Sequence, residues 1–116
     1  MGSLRNPAGW NHVFGMRPSQ GRVPKPSASD VFIAQLGTEG PMARTVSDLA
    51  MLLSTQAGYD ARAPLSIQES GAAFAQNLDA NMKGKRVGWL GNLNGYLPME
   101  SGVLEVCQDA LKVLET

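Results

Sequence analysis

The chain is short of the residues that build staples and metal centres. Among its 116 residues there is one cysteine, Cys107, and one histidine, His12. A single cysteine excludes an internal disulfide, and one cysteine with one histidine cannot assemble a structural zinc site. No run approaches the roughly 18 apolar residues of a membrane span, and the N-terminus carries no apolar secretory core. Acidic residues are missing altogether from residues 1–29, where Arg5, Arg17, Arg22 and Lys25 stand alone. The glycines at 88, 91 and 95 match neither G-x-G-x-x-G nor a P-loop, so no nucleotide site is expected. No cofactor and no metal is called for.

What is present is ordinary for a folded domain. Apolar residues make up 43% and charged residues 17%, a balance that argues against disorder. A chain of this length is one domain at most, able to bury about two-thirds of its unfolded surface. Net charge is zero, with the basic excess of the first 29 residues offset by a net of minus four in the remainder. A basic arm can serve nucleic acid, but this one is interleaved with Trp10, Val13, Phe14, Met16 and Val23 and with four prolines. That reads as packed extended chain whose cations need acidic partners, and no nucleic-acid partner is expected.

Local patterns divide the chain. Pro7 to Asn11 suits a helical turn with proline early in it. Val13 to Arg17 reads as a short strand ended by Pro18, Pro24-Lys25-Pro26 as a linker, and Phe32 to Leu36 as a short apolar stretch. Thr45-Val46-Ser47-Asp48 has the form of a capping box with Asp in place of Glu. The helix it opens sets Val46, Leu49, Leu52 and Leu53 on one face and stops at Gly58. Tyr59 to Ser70 is loop, and Ala72 to Leu78 a short helix. Val87 to Leu90 is predicted as a buried strand. The loop 91–98 then offers Asn92, Asn94 and Tyr96 where open α/β sheets place ligands, although a glycine-rich turn describes it better. Glu100 to Leu114 is predicted as a helix, Glu100 in its first turn and Val103, Leu104, Cys107, Ala110, Leu111 and Leu114 on its apolar face.

Two stretches carry more than local structure. Met1-Gly2-Ser3-Leu4-Arg5-Asn6-Pro7-Ala8 resembles the Gly-Gly-Ser-(Ile/Leu)-Arg-x-Pro-Ala segment that holds the nucleophile of the amidase signature family. The likeness continues through Trp10, Asn11, Val13, Phe14, Gly15, Arg17-Pro18-Ser19 and Gly21-Arg22-Val23. It returns at Gly40-Pro41-Met42-Ala43-Arg44-Thr45-Val46-Ser47-Asp48-Leu49, with weaker similarity from Asp60 to Pro64 and Lys83 to Leu97. The resemblance implies an α/β fold: a partial mixed sheet with flanking helices, residues 1–116 forming the central portion of the family's domain. It implies Ser3 as nucleophile, with the backbone of Gly2 and Ser3 in the oxyanion hole.

The family hydrolyses amides through an acyl-serine, using a lysine and a bridging serine that precede the nucleophile. A serine hydroxyl needs such a base to attack at neutral pH. Lys25, Lys83, Lys85 and Lys112 do not sit in the family's lysine motif, and Met1 stands where the family has the first glycine. The expectation is therefore a fragment beginning at the nucleophile motif, inactive alone. Its substrate in an intact enzyme would be a small-molecule amide and its setting cytoplasmic. An incomplete sheet would leave an edge open to self-association. The alternative is a non-catalytic remnant or interaction domain, in which Ser3 is an N-cap.

Overall fold

A computed structural model describes residues 2–26, 30 and 37–115. The chain separates into two compact units, Met1–Leu78 and Asp79–Thr116.

In the first unit, helix α1 spans Arg5–Trp10 and leads into strand β1, Phe14–Gly15. Strand β2 is Met42–Ala43, and helix α2 is Val46–Gln56. The strands pair antiparallel, Phe14 opposite Ala43 and Gly15 opposite Met42, and the Met16 N–H donates to the Pro41 carbonyl at 3.1 Å. The two stretches most similar to the amidase motifs are thus hydrogen-bonded neighbours. Among the described residues this antiparallel pair is the whole sheet, and together with the helices it is compatible with a mixed α/β fragment. The apolar stretch read at Phe32–Leu36 lies outside the described residues.

Helix α2 begins where its cap predicts. Thr45 is extended, and its Oγ1 accepts the Asp48 N–H at 3.1 Å, satisfying one of the donors a helix start leaves open. The C-terminal stop falls at Ala57, one residue before the predicted Gly58. The buried stripe of α2 is Leu49, Ala50 and Leu53, continued by Ala57, while Val46 and Leu52 are exposed. The predicted face is rotated because small residues, Ala50 and Ala57, let the backbone come close to its neighbours. A 3₁₀ turn, Gly71–Ala75, packs on α2 in place of the longer helix predicted at 72–78. Gly71 is buried there, and a Cβ on it would fall onto the carbonyl oxygens of Ser54 and Ala57, so the contact is backbone on backbone.

Leu53 and Pro41 are the most deeply buried side chains, and Ala8 and Ala63 complete the core with the α2 stripe. Two of the four cations in 1–29 find partners within the unit: Arg22 with Glu69 at 2.7 Å and Lys25 with Glu39 at 3.7 Å. The aromatic residues of the arm are not packed as predicted, Trp10 being 85% exposed.

The second unit corrects two expectations. Val87–Leu90 forms no strand, and Val87, Trp89 and Leu90 are exposed. A strand needs a neighbour to take up its backbone N–H and C=O groups, and residues 79–115 supply none. Helix α3 spans Val103–Lys112 and ends in a 3₁₀ turn, Val113–Glu115. It starts later than predicted, so Glu105 and not Glu100 occupies its first turn. None of its residues is buried; Leu104 and Leu111 are half-covered and Cys107, on the apolar face, is exposed.

Candidate active site

Ser3 lies two residues before α1, separated from it by the N-cap Leu4, and beside the exposed Gly2. Its Oγ accepts the Asn6 N–H at 3.3 Å. A hydroxyl has two lone pairs and one proton, so this bond holds the oxygen in place and leaves its O–H able to donate to a base. Pro7 follows within the first turn, where its missing N–H costs nothing, and Ala8 anchors the helix in the core.

Two cavities open on Ser3. One, about 570 Å³, is walled by Gly2, Ser3, Lys25, Glu39 and Met42 among others. The other, about 260 Å³, is walled by Gly2, Ser3, Leu4, Arg5, Arg17, Gly37 and Thr38. The segment 37–40 that leads into β2 therefore faces the serine. Basic Arg17 was visible in the sequence through the absence of acids in residues 1–29; nothing in the local pattern marked Gly37 or Thr38.

The remaining candidates are placed as follows. Asn92, Asn94 and Tyr96 lie in the second unit. Asn92 Oδ1 accepts the Gly95 N–H at 2.9 Å and the Asn92 carbonyl accepts the Leu97 N–H at 3.0 Å, so this residue closes its own turn. With no strand before it, the loop is not at a strand's C-terminal end. His12 is exposed, with a left-handed backbone (φ 53°), and lines a shallow cavity of about 460 Å³ with Phe14 and Arg44. Among the described residues no group of three or more His, Cys, Asp or Glu side chains stands close enough to hold a metal. No helix among them is long and apolar enough to cross a membrane.

One charged device escaped the sequence reading. Asp60 Oδ1 accepts the backbone N–H and the Nε of Arg62, both at 2.9 Å, and Oδ2 accepts from an Arg62 terminal nitrogen at 2.6 Å. The Asp60 N–H donates to Ser66 Oγ at 2.8 Å. The Arg62 side-chain hydrogen bond, helped by the backbone one, holds the Asp60 carboxyl down to about 2. The Asp-x-Arg spacing was the available signal, since an aspartate readily bonds the backbone two residues on.

A family model described as Amidase matches residues 1–116. The chain belongs to the amidase family. An acylamidase of Rhodococcus erythropolis is 36% identical over 98% of this chain and 24% of its own length. A glutamyl-tRNA(Gln) amidotransferase subunit of Pseudomonas putida (strain GB-1) is 34% identical over 98% of this chain and 23% of its own. Its counterpart in Listeria welshimeri is 37% identical, again over 98% and 23%. The chain thus spans about a quarter of the length of these curated relatives. No solved structure gives a significant match.

Proposed function

We propose that these residues carry the acyl-accepting serine of an amide-hydrolysing protein. Ser3 Oγ attacks the amide carbonyl carbon, and the carbonyl electrons move onto oxygen. The Ser3 proton passes to a base, a lysine acting through a bridging serine, both supplied by sequence outside these 116 residues. The base returns that proton to the amide nitrogen, the carbonyl re-forms as the C–N bond breaks, and the amine leaves; water, giving a proton to the same base, then attacks the acyl-serine, and the base returns the proton to Ser3 Oγ as the carboxylic acid departs. The N–H groups of Gly2 and Ser3 take part in holding the oxyanion. One observation carries the reading: the serine of the family-matched motif stands on the wall of two cavities. The substrate is a small-molecule amide, no cofactor takes part, and the setting is cytoplasmic. Similarity to an acylamidase and to an amidotransferase supports the amide chemistry, and the second relative, being one subunit of its enzyme, supports a protein partner. By itself the chain has no amide hydrolysis above background.

A second reading is a non-catalytic amidase-like remnant or interaction domain. The Asn6-to-Ser3 hydrogen bond favours it, because a purely structural cap makes the same contact.

The test joins the chain to an upstream segment that supplies a family-like lysine and bridging serine. The joined protein should hydrolyse a simple aryl amide, and mass spectrometry should find a fluorophosphonate adduct on Ser3. Retained turnover in Ser3→Ala, with the label on another serine, would refute the assignment.

A further inference from the structure

We infer that Asn94 is a modification site: it loses its side-chain amide spontaneously through a cyclic imide with the Gly95 backbone, and the Asn92 side chain is the latch that slows the loss. The inference is independent of the role of Ser3. Asn94-Gly95 is the one Asn-Gly step in the chain. Both residues are exposed, and the space a Cβ on Gly95 would take is open. Among the described residues no hydrogen bond engages the Asn94 side chain. The other asparagines are followed by His12, Leu78, Met82 and Leu93, whose side chains crowd the attacking nitrogen, or by Pro7, which has no N–H to lose.

The reaction consumes water and releases ammonia. The Gly95 nitrogen gives its proton to a base in solvent and attacks the Asn94 side-chain carbonyl carbon. The new N–Cγ bond closes the imide, and the Cγ–Nδ2 bond breaks as ammonia leaves with a proton taken from solvent. Water then opens the imide at either carbonyl. Opening at Cγ leaves aspartate. Opening at the Asn94 backbone carbonyl leaves isoaspartate, in which the main chain runs through Cβ and Cγ.

The turn exposes this step and also restrains it. Leu93, Asn94 and Gly95 are all left-handed (φ 53°, 57° and 87°), a conformation that asparagine and glycine tolerate and leucine disfavours. Hydrogen bonds hold the turn in it. Asn92 Oδ1 accepts the Gly95 N–H at 2.9 Å, and the Asn92 carbonyl accepts the Leu97 N–H at 3.0 Å. The proton that Gly95 must lose is therefore the one it donates to Asn92, so attack requires that bond to break. Isoaspartate lengthens the main chain between Asn92 and Leu97 and takes the Leu97 N–H out of register, so modification opens the turn and adds a negative charge.

The experiment incubates the full chain at mildly alkaline pH and follows each asparagine by peptide mass spectrometry, with chromatography separating aspartate from isoaspartate. The mass gain of an amide turned into an acid should appear at Asn94 before Asn77, Asn81 or Asn92, with isoaspartate in excess. A first gain at another asparagine would overturn the site. The unaltered chain also tests the latch: Asn94 should react more slowly in buffer than in urea, and equal rates would overturn the restraint whether or not a variant folds. Asn92→Ala should speed the loss in buffer about two- to ten-fold, the range of one net hydrogen bond. Asn92→Asp keeps an acceptor for the Gly95 N–H and should stay near the parent's rate. An aspartate variant as fast as the alanine one, or an alanine variant no faster than the parent, would rule out the Asn92 side chain as the latch.

Discussion

Arg22 and Glu69, separated by 47 residues in sequence, meet at 2.7 Å. The Arg22 guanidinium also lies over the Phe74 ring, 5.2 Å from its centroid. Its side chain is only 19% exposed, against 66% for Glu69. The backbone reinforces the tie, with Gly58 N–H donating to the Arg22 carbonyl at 3.3 Å and Ile67 N–H to the Gly21 carbonyl at 3.1 Å. The N-terminal arm that carries Ser3 is therefore fastened to the segment following α2. Arg22→Ala should lower stability by about 1–2 kcal/mol, combining a modest ion pair, the cation–π contact and lost stem packing. Glu69→Ala should cost less than about 1 kcal/mol. Urea midpoints of the two variants and their combination would check this; equal costs would mean that the ion pair, not the ring contact and packing, dominates.

Gly71 is a second fastening. Because a side chain there would collide with carbonyl oxygens at the end of α2, Gly71→Ala should force the 3₁₀ turn off the helix at a cost of about 1–3 kcal/mol. A thermal midpoint unchanged from the parent would show that the contact yields without strain.

The cap of α2 is separable from the core. Thr45→Ala removes the acceptor for the Asp48 N–H and should cost about 1 kcal/mol. Thr45→Ser should restore most of it, and a loss in the serine variant as large as in alanine would point to the methyl group instead of the hydroxyl.

Asp60 gives the fold a pH signature. Its carboxyl is lowered from 3.8 to about 2 by Arg62. A depressed folded value stabilises the charged form, so the contribution is fully present above 3.8 and is lost as pH falls from there towards 2. Carboxyl carbon resonances should put the Asp60 midpoint near 2 in the parent and return it towards 3.8 in Arg62→Ala. A midpoint that ignores Arg62 would rule out the hydrogen-bonded pair in solution.

The second unit should drive association. Leu90 is 77% and Val106 70% exposed, and α3 buries none of its residues. Apolar side chains left in water gain by being covered. Sedimentation should detect oligomers that Leu90→Glu and Val106→Glu reduce. A monomer at all concentrations would contradict it.

How much of this was legible beforehand varies by element, for physical reasons. The cap at Thr45 and the turn through Pro7 rest on interactions within a few residues, and sequence carries those in full. The identity of the motif around Ser3 was also legible, since it is a string of specific residues whatever lies around it. Val87–Leu90 failed as a strand because apolar content says only that a segment can pair, while pairing needs a second strand. The face of α2 was misjudged because periodicity marks where large side chains lie. It does not weigh the small ones, Ala50 and Ala57, which permit close approach.

The sequence by itself determined family membership, the nucleophile candidate, the start of α2 and the charge asymmetry of the arm. Each is a property of residue type and near spacing. Only the tertiary structure decided that β1 and β2 join the two motifs, that Arg22 reaches Glu69 and Phe74, and that Arg17, Gly37 and Thr38 share a cavity with Ser3. These are meetings of residues far apart in the chain, and they depend on where loops close and how near backbones approach.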